Sequence, residues 1–559
     1  MRGDYTHFGN DLVQSVTYGN LASTWYTFDE ARRVAAMEHR NASGGVILRL
    51  AYTYYNNDLP WTITESGISG SATTWFYYDH RRRLTDEQRL GTNPYILGYA
   101  YDAGGNRTKK IDYSVDEEVD YTYDTSDPSG YGSNNNRLEM SRKFDMTQPP
   151  IYPGDPWKRL STTWYYYTLA GNVERVVTRE EAPGGVQQSA AAASSSVGAQ
   201  GGTVGTTVEN GVEAMALPGG TGCTDPLQKY TATRFGYAKN GATVTYVLGE
   251  RWCWDGDSAC EQGGSYTVTY AREFRYDSAR ARYMNRKLNP STLATVSTTW
   301  SDYDGDEVYG DFEMVSGSPV NKRSFEPGIG RTTNALTTPV TDYYHGDMLG
   351  TTRLMSNSSG SSIEPAVYTA FGERITGPTT SDATRYGYVG AWGYQSHTDF
   401  PYLHVGARYY DPSSGRFLQR DPIGIAGGRN VYSYVLNTPT RSLDPRGLFS
   451  MNECVGYCGC KGLECVKKDP KNPGQAALCL DNQNKCIVNC KGKVGEVDNN
   501  WSGDPGPPPY PNPNDPDQWD PWPGVDCGGG GGASGAAAGT LFALFSVRFW
   551  RGRHRSGRG

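Results

Sequence analysis

Three Asp-Pro pairs stand close together late in the chain, at Asp411, Asp421 and Asp444. Two of them extend to Asp-Pro-x-Gly, as Asp421-Pro422-Ile423-Gly424 and Asp444-Pro445-Arg446-Gly447. Pro fixes φ and Gly accepts a positive φ, so each is first of all a turn. The side chains offer a second reading. Two carboxylates brought together share a proton and divide into an acid and a base, and the base can activate a water, as in aspartic proteases. Asp421 and Asp444 are separated by the length of one strand-turn-strand unit. A nearby Arg would keep one carboxylate ionised. On local sequence alone, structural turns and a carboxylate dyad both stay open.

A second reactive set is formed by cysteines. Of 11 in the chain, seven fall in one short stretch: Cys454, Cys458, Cys460, Cys465, Cys479, Cys486 and Cys490. So small a segment cannot build much core, and disulfides are the preferred reading, with Cys527 available as partner for the odd thiol. Zinc is the rival, but no clean Cys-x-x-Cys pair exists, and no metal site is assigned. No Walker motif, dinucleotide fingerprint or serine nucleophile elbow appears, so no cofactor is called for. The histidines, His345 included, read as packed or exposed side chains rather than ligands.

The elements that must position these groups are set by composition and spacing. The chain has 559 residues, 12% of them aromatic, with 41 Tyr, 69 Gly and 32 Pro. A single core does not grow to that length, and that many rings need somewhere to pack, which excludes wholesale disorder. A net charge of −7 disfavours nucleic acid as a partner of the main body. One pattern recurs: aromatic, any residue, aromatic, then usually Asp. It is seen at Tyr26-Thr27-Phe28-Asp29, Phe76-Tyr77-Tyr78-Asp79, Tyr99-Ala100-Tyr101-Asp102 and Tyr121-Thr122-Tyr123-Asp124. Its fourth positions fall at 8, 29, 55, 79, 102 and 124, an almost constant period. Alternation puts both aromatics on one strand face, and Asp, Gly and Asn supply the turn. Such units bury their faces only when stacked, which predicts a mostly β protein built as a curved antiparallel repeat sheet.

These units resemble the YD repeats of the RHS (rearrangement hotspot) family. The likeness tightens after Tyr343. There Tyr343-Tyr344-His345-Gly346-Asp347-Met348-Leu349-Gly350, Phe371-Gly372-Glu373-Arg374, Ala407-Arg408-Tyr409-Tyr410-Asp411-Pro412, Gly415-Arg416-Phe417 and Asp444-Pro445-Arg446-Gly447-Leu448 follow the RHS-associated core. The resemblance implies a spiralling antiparallel β shell, a cocoon that here is either closed or left open and incomplete, followed by a Cys-rich tail. It also implies that Asp421 and Asp444 form an autoproteolytic dyad supported by Arg408, with cleavage between Leu448 and Phe449. Arg446 departs from the family pattern, which usually has an apolar residue there. The implied organisation is repeat shell over 1–181, a low-complexity disordered insert over 182–222 and degenerate repeats over 223–340. The core with its cleavage site covers 341–448, a Cys-rich variable module 449–500, a Pro-rich spacer 501–526, and a Gly-rich, apolar and Arg-rich end 527–559.

Two functions are expected from this arrangement. In the first, the shell encloses its own C-terminal segment as cargo, cuts it free and delivers it as a toxin in interbacterial competition, with an immunity protein and secretion machinery as partners. In the second, the shell is a non-enzymatic surface scaffold or adhesin that contacts glycans. From Phe449 to Arg553 there is no His, which argues against His-dependent nuclease or hydrolase chemistry in the tail. The start of the chain shows no apolar signal segment. Its end runs from Gly528 through an apolar stretch, Ala536 to Val547, to five Arg, and resembles the tripartite C-terminal sorting signals of bacterial surface proteins. A frayed low-complexity tail is the plain alternative. A secreted or cell-surface location, with membrane anchoring at the C-terminus, is the expectation.

Overall fold

The computed structural model describes residues 3–448, apart from 10–11, 69, 125–135, 148–156, 181–207, 210–211, 214–227, 239–242, 255–265, 278–280, 305–306, 364, 378–384 and 398. The Cys-rich module with its disulfide candidates, the Pro-rich spacer, Phe449 and the C-terminal end lie outside the described residues. So does most of the low-complexity insert, of which Val208–Glu209 and Val212–Glu213 pair as two short strands. Regular structure among the described residues is antiparallel β, with three short 3-10 turns and no α-helix. The mostly β expectation therefore holds. No helix among the described residues is long and apolar enough to cross a membrane.

The chain forms two compact units. The second, essentially 115–301, is a meander in which successive long strands pair, with the short Val208–Glu209 and Val212–Glu213 pair set apart as its own two-stranded sheet. Its strands include Glu117–Tyr123, Leu138–Asp145, Lys158–Tyr167, Val173–Glu180, Gln228–Tyr237 and Val244–Trp254. The first unit joins residues 1–107 to 302–448 and carries the candidate site. Its early strands, from Val13–Tyr18 to Tyr95–Tyr101, pair in sequence order.

Alternation decides which face is buried. In the strand Gly70–Tyr78, Ala72, Thr74 and Phe76 are buried while Ser71 and Tyr77 are exposed. The Asp that ends each repeat then closes the turn. Asp79 accepts the N–H of Arg81 and of Arg83, both at 2.9 Å, and the Arg83 Nε at 2.7 Å. Asp29 holds the N–H and Nε of Arg33 in the same way. The residue before each Arg is left-handed, with φ of 62° at Arg32 and 66° at Arg82. A glycine would take that conformation more cheaply, by about 1–2 kcal/mol. The arginine then reaches the next unit. Arg33 lies over Tyr54 and bonds Asp58, while Arg83 lies over Tyr101 and donates to the carbonyl of Asp102. The turns at 55–59 and 102–106 are thus each clasped by the one before, which is the nearest-neighbour coupling of repeat proteins.

Residues after 340 return onto the early strands. Phe371, Tyr394, Tyr410, Phe417 and Tyr434 share one buried cluster with Phe76, Leu84, Leu97 and Tyr99. A second junction is polar. His39 and His345 are fully buried with ring centroids 5.2 Å apart. His39 Nδ1 lies 2.8 Å from the Thr24 hydroxyl, and His345 Nε2 lies 2.8 Å from that of Ser356. Of the two places its sequence left open, packed or exposed, His345 takes the packed one.

Burial holds both imidazoles neutral. It lowers His39 to about 4, with Arg353 adding to the effect and the Gly346 backbone opposing it, and it lowers His345 well below its ordinary value. The unfolded chain takes up protons near pH 6.5 that the folded chain refuses, so stability is complete above that pH and falls as pH drops toward 4. The loss is up to about 1.4 kcal/mol per pH unit for each histidine. The double variant H39Q/H345Q should flatten this slope, measured by urea denaturation of the full chain between pH 4 and 7.

Candidate functional site: two carboxylates on one arginine

A three-stranded sheet, Leu403–Val405, Arg408–Asp411 and Arg416–Phe417, builds the floor of the site. Val405 pairs with Arg408 across a tight turn, and Tyr410 pairs with Phe417. Alternation along the middle strand sends Arg408 and Tyr410 to one face, where Phe417 also lies. The Arg408 guanidinium carbon sits 3.5 Å from the centroid of the Phe417 ring.

Arg408 is only 2% exposed, and each of its nitrogens is engaged. Nη2 lies 3.1 Å from Oδ2 of Asp421 and 3.1 Å from Oδ2 of Asp444. The two carboxylate oxygens are therefore no further apart than twice that distance. Nη1 donates to the Val431 carbonyl at 3.2 Å, and Nε donates to the Gly447 carbonyl. The structure thus brings together Arg408, Asp421 and Asp444, the three residues singled out by the family resemblance.

Both readings of the Asp-Pro motifs are compatible with this geometry, because the turns aim the carboxylates. In the first turn, the Gly424 N–H donates to the Asp421 carbonyl at 2.9 Å, and the Ile423 N–H donates to Asp421 Oδ1 at 3.0 Å. In the second, the Gly447 N–H donates to the Asp444 carbonyl and the Leu448 N–H donates to Asp444 Oδ1 at 3.1 Å. Asp411 is different: its oxygens accept from Ser413 and Ser414, so it serves its own turn.

Leu448 is buried, and the chain just before it is held by site residues. Gly406 and Gly447 make this approach possible. A Cβ on Gly447, where φ is 62°, would meet the Val405 carbonyl at 2.2 Å, and one on Gly406 would meet that of Arg446 at 2.1 Å. Arg446 itself is half-buried, and its carbonyl accepts the Ala407 N–H.

Burial pushes the Asp421 carboxyl up to about 7; Arg408 and the Ile423 N–H oppose that, and the Asp444 charge adds to it. Asp421 therefore holds a proton near neutrality. Asp444 keeps one oxygen on Arg408 and the other on the Leu448 N–H.

Three side chains at the site were not found from sequence. The Tyr394 hydroxyl accepts the Asp444 N–H at 2.9 Å. Gln419 Oε1 accepts the Tyr409 N–H at 2.6 Å and steadies the Arg408 strand. Phe417 lies under the guanidinium. Phe417 belongs to the Gly415-Arg416-Phe417 stretch of the family resemblance, which was the usable signal for it, whereas Gln419 carried none. Tyr394 is remote from Asp444 along the chain and carried none.

No protein-family model matches the chain. The chain is similar to bacterial toxins and nucleases over limited stretches. It is 54% identical over 41 residues to the toxin protein Tse5 of Pseudomonas aeruginosa, covering 7% of this chain and 3% of that protein. It is 31% identical over 155 residues to the tRNA3(Ser)-specific nuclease WapA of Bacillus spizizenii, covering 26% of this chain and 6% of that protein. The matches thus span only a small part of these relatives' lengths. Among solved structures, the crystal structure of TcdB2-TccC3 aligns with a TM-score of 0.34 at 15% identity, over 76% of this chain and 22% of that one.

Gly424 supplies a control for Gly447. Its φ is also 62°, but a Cβ there would meet nothing within 4 Å. G424A should cost about 1 kcal/mol for the backbone conformation alone, whereas G447A must also displace the Val405 carbonyl and should cost about 2–3 kcal/mol. Urea denaturation of both variants against the parent chain makes the comparison.

Proposed function

We propose that this chain is an RHS-type β-shell protein that cuts its own backbone after Leu448 and releases the segment beginning at Phe449 as cargo for toxin delivery. The observation that carries the reading is the shared Nη2 of Arg408: one buried guanidinium binds both candidate carboxylates and also grips the chain at Gly447. Similarity to a toxin protein and to a tRNA nuclease supports the delivery role. An immunity protein for the cargo and a secretion apparatus for export are the partners this reading requires, with the chain acting outside the cell that makes it.

The reaction is a hydrolysis by an acid–base pair of carboxylates. Asp444 takes a proton from water as the water oxygen bonds to the Leu448 carbonyl carbon. Asp421 gives its proton to the carbonyl oxygen. The tetrahedral centre then collapses: its hydroxyl proton returns to Asp421, Asp444 passes its proton to the Phe449 nitrogen, and the C–N bond breaks. Leu448 leaves as a carboxylic acid and Phe449 as an amine. Because the scissile peptide follows directly on residues already held by Arg408 and Asp444, it is presented at high effective concentration, and a single turnover needs no separate substrate site.

The test uses the full chain tagged at both ends and run on a denaturing gel beside D421N and D444N. Wild type should split between Leu448 and Phe449, and both variants should stay whole. A folded wild type that remains uncut would overturn the reading and favour the glycan-contacting scaffold. The rate should also depend on pH in a stated direction. Asp421 must be protonated to act as the acid, so cleavage should slow above about pH 7, by about tenfold for each further unit, in a time course after rapid pH adjustment.

A further inference from the structure

Arg408 is held in its own plane by hydrogen bonds from all three nitrogens, but those bonds leave its faces undefined. One face is closed by Phe417 at 3.5 Å from the guanidinium carbon. Phe417 is itself 1% exposed and sits edge-on to Tyr410 and Tyr434, each 5.8 Å away. Its backbone N–H donates to the Tyr432 carbonyl at 2.9 Å. The same aromatic group continues round to the second carboxylate. The Tyr434 and Tyr394 hydroxyls are 3.2 Å apart, and Tyr394 accepts the Asp444 N–H. The arginine and one of its carboxylates are therefore seated by a single set of packed rings.

A cation over an aromatic face is attracted by the ring quadrupole, and the attraction is strongest where water is excluded. Nη2 serves both carboxylates only while the guanidinium keeps its tilt. Tipped out of this plane, it would favour one carboxylate and lose the Gly447 carbonyl. We propose that Phe417 is a positioning residue for self-cleavage, whose ring fixes the Arg408 guanidinium so that Asp421 and Asp444 share it equally while it grips the strand to be cut. This deepens the self-cleavage reading and rests on it.

The experiment replaces Phe417 in the full, doubly tagged chain by phenylalanines carrying one, two and three ring fluorines, made in cell-free synthesis. Fluorine drains the ring quadrupole and leaves the shape nearly unchanged, so folding is preserved. The fluorine-free parent, F417L and D421N are run alongside, and cleavage is followed by pulse-chase on denaturing gels from pH 5 to 9. The cleavage rate should fall stepwise with fluorine number and reach a loss of about tenfold or more in the trifluoro chain. The alkaline limb of the pH profile should move as the Arg408 contact to Asp421 and Asp444 weakens. A trifluoro chain that cuts at the parental rate with the parental pH profile would overturn the role of Phe417 while leaving the dyad standing. A parent that stays uncut, or a D421N chain that cuts, would overturn the dyad and this role together.

Discussion

A charged guanidinium buried away from water is tolerated only if its partners replace the solvent it has lost. The cost of stripping it is several kcal/mol, and removing one partner leaves the rest uncompensated. Arg408 meets that demand with two carboxylates, two backbone carbonyls and an aromatic face. Much of the local architecture follows from this. Both Asp-Pro-x-Gly turns must close so that their side chains point inward. Val431 must lie alongside to supply a carbonyl. Residues 444–448 must come within reach of Val405, which only glycines at 406 and 447 allow. The demand runs the other way too, since Arg408 lowers the cost of keeping Asp421 ionised beside Asp444.

The early strands matter because they are the surface on which this cluster is assembled. Phe76, Leu84 and Tyr99 belong to the repeat units, yet they share one core with Tyr394, Tyr410 and Phe417. Tyr78 reaches the Thr440 hydroxyl, and Asn437 donates to the Gly105 carbonyl. Loops with little regular structure are thus held by strands whose geometry is regular. Precision at the site is borrowed from the repeats, whose turns are clasped one to the next by Arg33 and Arg83.

What could be read from sequence divides along physical lines. The repeat period, the alternation and the Asp-closed turns are local, and the strands with their turns appear where the spacing puts them. Left-handed φ at Arg32 and Arg82 was hidden, because only glycine advertises such a position. Arg408, Asp421 and Asp444 were legible through their motifs, but not their convergence, which depends on how three loops fold over one sheet. Tyr394 was invisible because a hydroxyl that caps one backbone N–H leaves no pattern. The buried His39–His345 pair was equally hidden: its partners, Thr24 and Ser356, lie on strands from opposite ends of the first unit.

The grip on the chain near Leu448 has a consequence for inheritance. Hydrogen bonds at this joint run between the backbone at 444–448 and Arg408, Ala407, Tyr394 and the Asp444 carboxylate. Because these bonds engage the backbone, the path of the chain here can outlast changes in several of its side chains, while Asp444, for its carboxylate, and Gly447, for its lack of a Cβ, are the positions that cannot drift.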